Sequence, residues 1–264
     1  MHDCFRVTDG SELFFEDAGS GPALLLLHGL MGTHDDFQHV FDLASLRRSW
    51  RVIAPDARGH GRSTNPRDRF SIGICAADVI ALLDHLELAS VCAIGASLGA
   101  KTLLHIAVRA PEKVSDMVLV SATPRFPEPT RALMRQAAAM PHSPDERASL
   151  RLQHVHGDPQ IDALWRVPGR LADDRDDMAF TTHDLATIRA RTLLVSGDRD
   201  PLYPLELAVE LYQGIPGAAL CVVPEGGHLP IFAEERDAFR ARALKWLRVS
   251  ETRGATQITE RSRT

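Results

Sequence analysis

The stretch "VCAIGASLGAKTLL", residues 91–104, decides how the rest of the chain is read. An apolar run leads into Gly95-Ala96-Ser97-Leu98-Gly99, and a second apolar run with helical spacing leads out of it. G-x-S-x-G at a strand-to-helix junction has a mechanical meaning: the chain reverses sharply, the serine takes a strained backbone conformation, and the glycines leave room where a Cβ would collide. Such a turn lifts Ser97 Oγ to the carboxyl edge of a sheet, where open α/β sheets bind ligands. It also aims the N-terminus of the next helix, with its partial positive charge, at any anion formed there. Outside a strand–turn–helix context the same five residues would say little.

The context is present on both sides. "CFRVTDGSELFFEDAG" reads as a hairpin turning at Asp9-Gly10. "ALLLLHG", "WRVIAPD", "SVCAIG" and "VSDMVLVSA" are short apolar runs suited to strands buried on both faces. Between them, "THDDFQHVFDLASL", "SIGICAADVIALLDHLEL" (Ser71 as N-cap) and "LGAKTLLHIAVRAP" have helical periodicity. Alternation of this kind predicts βαβ units and a mostly parallel central sheet with helices on both faces. After Thr123 the texture changes. "TPRFPEPT" carries three prolines in eight residues, and no strand run follows until about Arg189. The segment reads as short helices: "TRALMRQAAAM", "SPDERASLRLQHV" with a Ser143/Glu146 capping box, and "DPQIDALW". "RTLLVSGDRDP", "PLELAVELYQGI", "AALCVVPEGGH" and "RDAFRARALKWLRV" then restore the alternation. The expected division is a core over 1–123 and 190–250, a small helical insertion over 124–189, and a polar, aperiodic, flexible tail over 251–264.

Composition narrows the function classes. With 44% hydrophobic and 25% charged residues, the 264-residue chain can bury a sizeable core. A net charge of −5 with no basic block argues against nucleic acid or an anionic membrane as partner. No apolar run approaches the roughly 18 residues of a membrane span, and "MHDCFRVTDG" lacks a signal-peptide pattern. Cys4, Cys75, Cys92 and Cys221 form no C-x-x-C pair; Cys92 and Cys221 sit in strand-like runs and read as buried free thiols, which fits a reducing, cytoplasmic setting.

A serine hydroxyl is a poor nucleophile at neutral pH; it needs a base, and the base needs an orienting acid. "LLVSGDRDPLYP" places two aspartates, Asp198 and Asp200, in the loop after a strand, and "VVPEGGHLP" places His228 after another. Both loops leave the same sheet edge as Ser97, in the chain order Ser, Asp, His.

Five stretches in this order, "HGLMG" (28–32), "DARGHGRS" (56–63), "GASLG" (95–99), "GDRDPLYP" (197–204) and "GGHLP" (226–230), resemble the α/β-hydrolase fold superfamily over about residues 3–250. The resemblance implies a Ser97–His228–Asp200 triad, the acid falling on the fourth position of G-x-x-D-x-x-x-P, with Asp198 as the alternative and a turn-capping carboxylate as its plainer reading. Some relatives carry the acid one strand earlier, but "SATPR" offers no carboxylate there. The resemblance also implies an oxyanion hole from the backbone N–H groups of Leu98 and Leu30. His28, Asp56, Arg58 and His60 are read as braces of neighbouring loops. His154-x-His156 lacks acidic or thiol ligands at metal spacing and reads as a solvated helix end. The chemistry needs no metal and no cofactor.

In relatives, an insertion at 124–189 is a cap that excludes water and shapes the pocket. Met31, Phe126, Trp165, Leu202 and Leu229 are the expected pocket residues, with ordinary core of the inserted segment as the equal alternative for Phe126 and Trp165. The absence of an Arg/Lys cluster points to a small to medium, mostly apolar ester rather than a polyanion. The same machinery serves lactonases, enol-lactonases, cofactor-free perhydrolases and carbon–carbon bond hydrolases; the last often carry Asn where this chain has Ala96. Dehalogenases and epoxide hydrolases would need Asp at position 97. The expected partner is a small-molecule ester or lactone; a weakly catalytic ligand receptor is the reading from another functional class.

Overall fold

A computed structural model describes residues 2–247 of the chain. The tail expected over 251–264 lies outside the described residues. Eight strands form one sheet: β1 (His2–Arg6), β2 (Glu12–Gly19), β3 (Ala23–Leu27), β4 (Arg51–Pro55), β5 (Val91–Ala96), β6 (Val114–Val120), β7 (Arg191–Gly197) and β8 (Ala219–Val223). Their spatial order is β1-β2-β4-β3-β5-β6-β7-β8. The two pairings made by β2 are antiparallel, and those from β4 to β8 are parallel.

The apolar runs form these strands because both faces are covered. On β3, Leu25 and Leu27 enter one core cluster while Leu24 and Leu26 enter the other. On β5, Val91 and Ala93 face the first cluster, and Cys92, Ile94 and Ala96 the second. Period-two geometry turns an unbroken apolar run into two buried faces.

The helices are α1 (Leu43–Leu46), α2 (Ile72–His85), α3 (Leu98–Arg109), α4 (Glu128–Ala139), α5 (Pro144–Arg151), α6 (Asp158–Asp173), α7 (Thr182–Ala186) and α8 (Leu205–Gly214), with α9 over 236–247. Ser71 caps α2 by accepting the Ile74 N–H at 3.1 Å. The Ser143/Glu146 capping box opens α5 as the sequence predicts. The helix expected over "THDDFQHVFDLASL" is instead a 3₁₀ turn, His34–His39, and the short α1. Thr33 and Asp42 each act as an N-cap, so side-chain acceptors begin two separate helices where periodicity suggested one. Conversely, α6 runs on through Pro168 and Gly169 to Asp173, and a Thr181/Asp184 capping box opens the unanticipated α7.

Between β6 and β7 the described residues hold four helices, α4 to α7, and no named strand. Phe126, Met134, Val167, Leu171 and Ala172 there bury a third apolar cluster with Ile72, Leu98, Tyr203 and Leu207 of the sheet-bearing part. No helix among the described residues is long and apolar enough to cross a membrane. All four cysteines are free; Cys75 and Cys92 are buried and Cys4 is exposed. Cys221, expected to be buried, is only half-buried, because β8 is the edge strand and one of its faces is incompletely covered.

Candidate active site

Ser97 sits between β5 and α3 with φ 49° and ψ −100°. A β-carbon in that left-handed region is strained and persists only where the surroundings fix it. They do so from three sides: the Ser97 N–H donates to Val120 O at 2.8 Å, the Gly99 N–H to His28 O at 3.0 Å, and the Lys101 N–H to Ser97 O at 3.0 Å. Gly99 is obligatory, since a Cβ there would stand 2.1 Å from Leu27 O.

The strands after Ser97 deliver its partners. His228 Nε2 lies 2.9 Å from Ser97 Oγ, and His228 Nδ1 lies 2.8 Å from Asp200 Oδ2. A carboxylate can only accept, so Nδ1–H donates to Asp200 and Nε2 is left to accept from the Ser97 hydroxyl. The other Asp200 oxygen accepts the Leu202 and Tyr203 N–H groups at 2.8 and 3.1 Å. Burial works to raise the Asp200 pKa, but the hydrogen bond and charge of His228, with those two N–H groups, outweigh it and hold the carboxyl below its ordinary value. Asp198 is exposed and its carboxylate makes no contact with His228, whereas Asp200 is buried against it. Such a chain makes a hydroxyl nucleophilic and lets the imidazole carry its proton.

Leu98 is the first residue of α3, so its N–H is one of the four that a helix leaves without an internal partner. Leu98 and Leu30 both line the cavity in front of Ser97, which has a volume of about 250 Å³. Phe126, Leu202 and Leu229 line it too. Met31 and Trp165 do not. Met31 adopts φ 65°, and it is its carbonyl that is engaged, by His154 Nε2 at 3.2 Å. Trp165 stacks on His142 at 3.8 Å between ring centroids and carries Arg147 at 4.4 Å. Met134, Pro168 and Leu171 supply the wall that Trp165 was expected to give.

The bracing residues are in place. His28 Nε2 accepts the Ala57 N–H at 3.0 Å while Nδ1 donates to Gly29 O at 2.7 Å. Asp56 holds His34 and the Arg62 N–H, and Arg58 makes a two-pronged ion pair with Asp78 at 2.6 and 2.7 Å. His60 is buried, with Nδ1 on Arg58 O. His154 departs from expectation: it is buried, not solvated, and its Nδ1 accepts the Gly61 N–H at 2.8 Å. With Nε2 on Met31 O, one ring ties the inserted segment to both the Leu30 loop and the Asp56–Ser63 loop. His156 is exposed, and no metal-holding group of His, Cys, Asp or Glu occurs among the described residues.

Two site residues escaped the sequence reading. Lys101, one turn beyond Ser97, is buried with Nζ 3.3 Å from Ser97 Oγ and 2.9 Å from the Tyr203 hydroxyl. Burial pushes its pKa down to about 7, against the charge of Asp200. Tyr203 packs edge-on to His228 at 5.2 Å and stacks on Phe126 at 6.2 Å. The i, i+4 spacing of Ser97 and Lys101 was the available signal, since it puts both on one face of the helix.

This sheet, elbow and loop order define a hydrolase-type α/β protein, and the chain belongs to the alpha/beta hydrolase fold family, whose model matches residues 22–159. A second model, described as TAP-like protein, matches residues 165–255. Among relatives, an uncharacterized protein of Mycobacterium tuberculosis (strain ATCC 25618 / H37Rv) is 27% identical, covering 86% of this chain and 75% of that one. An esterase from Exiguobacterium antarcticum superposes with a TM-score of 0.77 at 22% identity, covering 94% of this chain and 100% of that one. The enol-lactonase from Burkholderia xenovorans LB400 gives 0.73 at 22%, covering 93% and 99%. Likeness at this identity establishes the fold.

Proposed function

We propose that the chain is a serine hydrolase that cleaves carboxylic esters of small to medium size through an acyl-enzyme. The observation that carries this reading is the unbroken chain from Ser97 Oγ through His228 to Asp200, at 2.9 and 2.8 Å. His228 Nε2 takes the Ser97 proton as Oγ attacks the ester carbonyl. The Leu98 and Leu30 N–H groups hold the oxyanion, and the imidazolium, steadied by Asp200, returns its proton to the leaving alcohol. Water then attacks the acyl carbon with His228 as base and releases the acid. The helices of segment 124–189 act as a cap, and the mostly apolar wall they complete suits the hydrocarbon part of a substrate.

A series of p-nitrophenyl esters from acetate to long acyl chains, run beside Ser97→Ala, tests the proposal. Multiple turnover that depends on Ser97 supports it, and the preferred chain length reports the depth of the cavity. A single burst that stops, with ligand-induced stabilisation, would favour a receptor instead.

A further inference from the structure

Lys101 is a buried amine that lines the reaction cavity and hydrogen-bonds only uncharged groups. Its ammonium has three N–H donors. One points to Ser97 Oγ at 3.3 Å and one to the Tyr203 hydroxyl at 2.9 Å, both uncharged acceptors. The carboxylate whose charge acts on it, Asp200, is already occupied on both oxygens: Oδ2 by His228 and Oδ1 by two backbone N–H groups. The other cation beside Phe126, Arg131, is spent on backbone carbonyls of Phe126, Ala172 and Asp174. Two aromatic faces also lie against Lys101, Tyr203 at 4.8 Å and Phe126 at 5.9 Å.

A lysine placed only for packing would be cheaper as methionine, because an uncompensated buried charge costs several kcal/mol. An anion beside Nζ changes that balance: it offsets the desolvation and keeps the ammonium charged. A single cation in an otherwise apolar wall suits a monoanion, and the planar, charge-assisted partner of that size is a carboxylate.

We propose that Lys101 receives a carboxylate of the substrate, so that this site takes short esters bearing a carboxylate close to the scissile carbonyl. This rests on the serine-hydrolase reading above and adds a substrate class to it. The proximity follows from geometry. The carbonyl carbon approaches Ser97 Oγ to about 3–3.5 Å before attack. Lys101 Nζ is itself 3.3 Å from that oxygen. A carboxylate accepting from Nζ at about 2.8 Å therefore shares the space beside Ser97 with the reacting carbonyl, and a short substrate that carries both groups can engage both.

The test compares kcat/KM for monoethyl succinate, with the carboxylate on the acyl part, for O-butyrylglycolate, with it on the alcohol part, and for neutral ethyl butyrate. Released acid is titrated at constant pH for the wild type, Lys101→Met and Lys101→Gln. The ratio of a carboxylated ester to ethyl butyrate is expected to fall at least about tenfold in both variants, and the ester whose ratio falls identifies the side of the carbonyl that Lys101 serves. A lysine that merely positions Ser97 would lower all three substrates together and leave both ratios unchanged, which would overturn the proposal. Calorimetric binding of the two carboxylated esters to Ser97→Ala, with and without Lys101→Met, separates this from the hydrolase reading. If the wild type turns over neither these esters nor the p-nitrophenyl series but binding of either carboxylated ester weakens at least about tenfold without Lys101, the hydrolase reading falls and the carboxylate site stands. Equal binding with and without Lys101 overturns the site whatever the turnover. Thermal midpoints confirm that each variant is folded, and Lys101→Gln carries the comparison if Lys101→Met is not.

Discussion

Gly95 and Gly99 meet across the elbow so closely that a Cβ on Gly95 would stand 2.5 Å from the carbonyl carbon of Gly99. The obstacle is backbone, held between β5 and α3, and no rotamer change relieves it. Gly95→Ala and Gly99→Ala are therefore each expected to cost about 3 kcal/mol or more, the upper end of overpacking. That lowers the melting temperature by at least about 6 °C for a chain of this size. Thermal unfolding of both variants checks this; a loss under about 2 °C would mean that the elbow relaxes freely.

The acid is discriminated by two substitutions. Asp200→Asn removes the acceptor that fixes the His228 tautomer and is expected to lower kcat by about 10⁴-fold. Asp198, exposed on the same loop, is expected to tolerate Asn within about threefold, as surface substitutions do. Kinetics on one good ester settles the assignment, and an inactive Asp198→Asn beside an active Asp200→Asn would reverse it.

Lys101 carries a signature in stability against pH. In the folded state its pKa is pushed down to about 7, while in the unfolded chain it returns to about 10.4. Between these values the unfolded state binds more protons, so this residue makes stability rise with pH across that window. Below it, both states are protonated and the full burial cost is present. Lys101→Met removes the cost. The variant is expected to exceed the wild type by a few kcal/mol at about pH 6, and the gap is expected to close toward about pH 10. Urea unfolding at several pH values measures it. A gap independent of pH would contradict a buried ammonium.

His154 joins three segments through one ring, with Gly61 N–H at 2.8 Å and Met31 O at 3.2 Å. His154→Ala leaves a buried N–H without an acceptor and is expected to cost about 1–3 kcal/mol. Because Met31 follows Leu30, the same change loosens a proposed oxyanion donor, so kcat should fall by about tenfold or more while KM changes less. A fall in stability with unchanged kcat would confine His154 to a structural part.

The sequence exposed the elbow, the sheet and the three site loops because each depends on residue types that few alternatives can replace: glycine at a close approach, apolar runs under two layers, a histidine and an aspartate after strand ends. It exposed the inserted segment poorly. Periodicity marks the face of α6 that is buried but not what it is buried against, and Trp165 turned out to stack on His142. Met31 was misplaced because a positive φ redirects a side chain without leaving a trace in residue type. Lys101 was hidden by its own chemistry, since a lysine in a helix ordinarily reaches solvent.

One guanidinium bolts together two helices that wall the cavity in front of Ser97. Arg131 on α4 donates to the carbonyls of Ala172 and Asp174, each at 2.6 Å, where α6 ends. Arg135, one turn on, pairs with Asp173 at 2.9 Å. α4 and α6, which both supply residues to the cavity lining, are thus fastened to each other at one corner. Shifting α4 without α6 would break these three hydrogen bonds, two of them made by a buried guanidinium. The two helices therefore behave as one bolted corner of the fold, and a substitution in either is felt by the other.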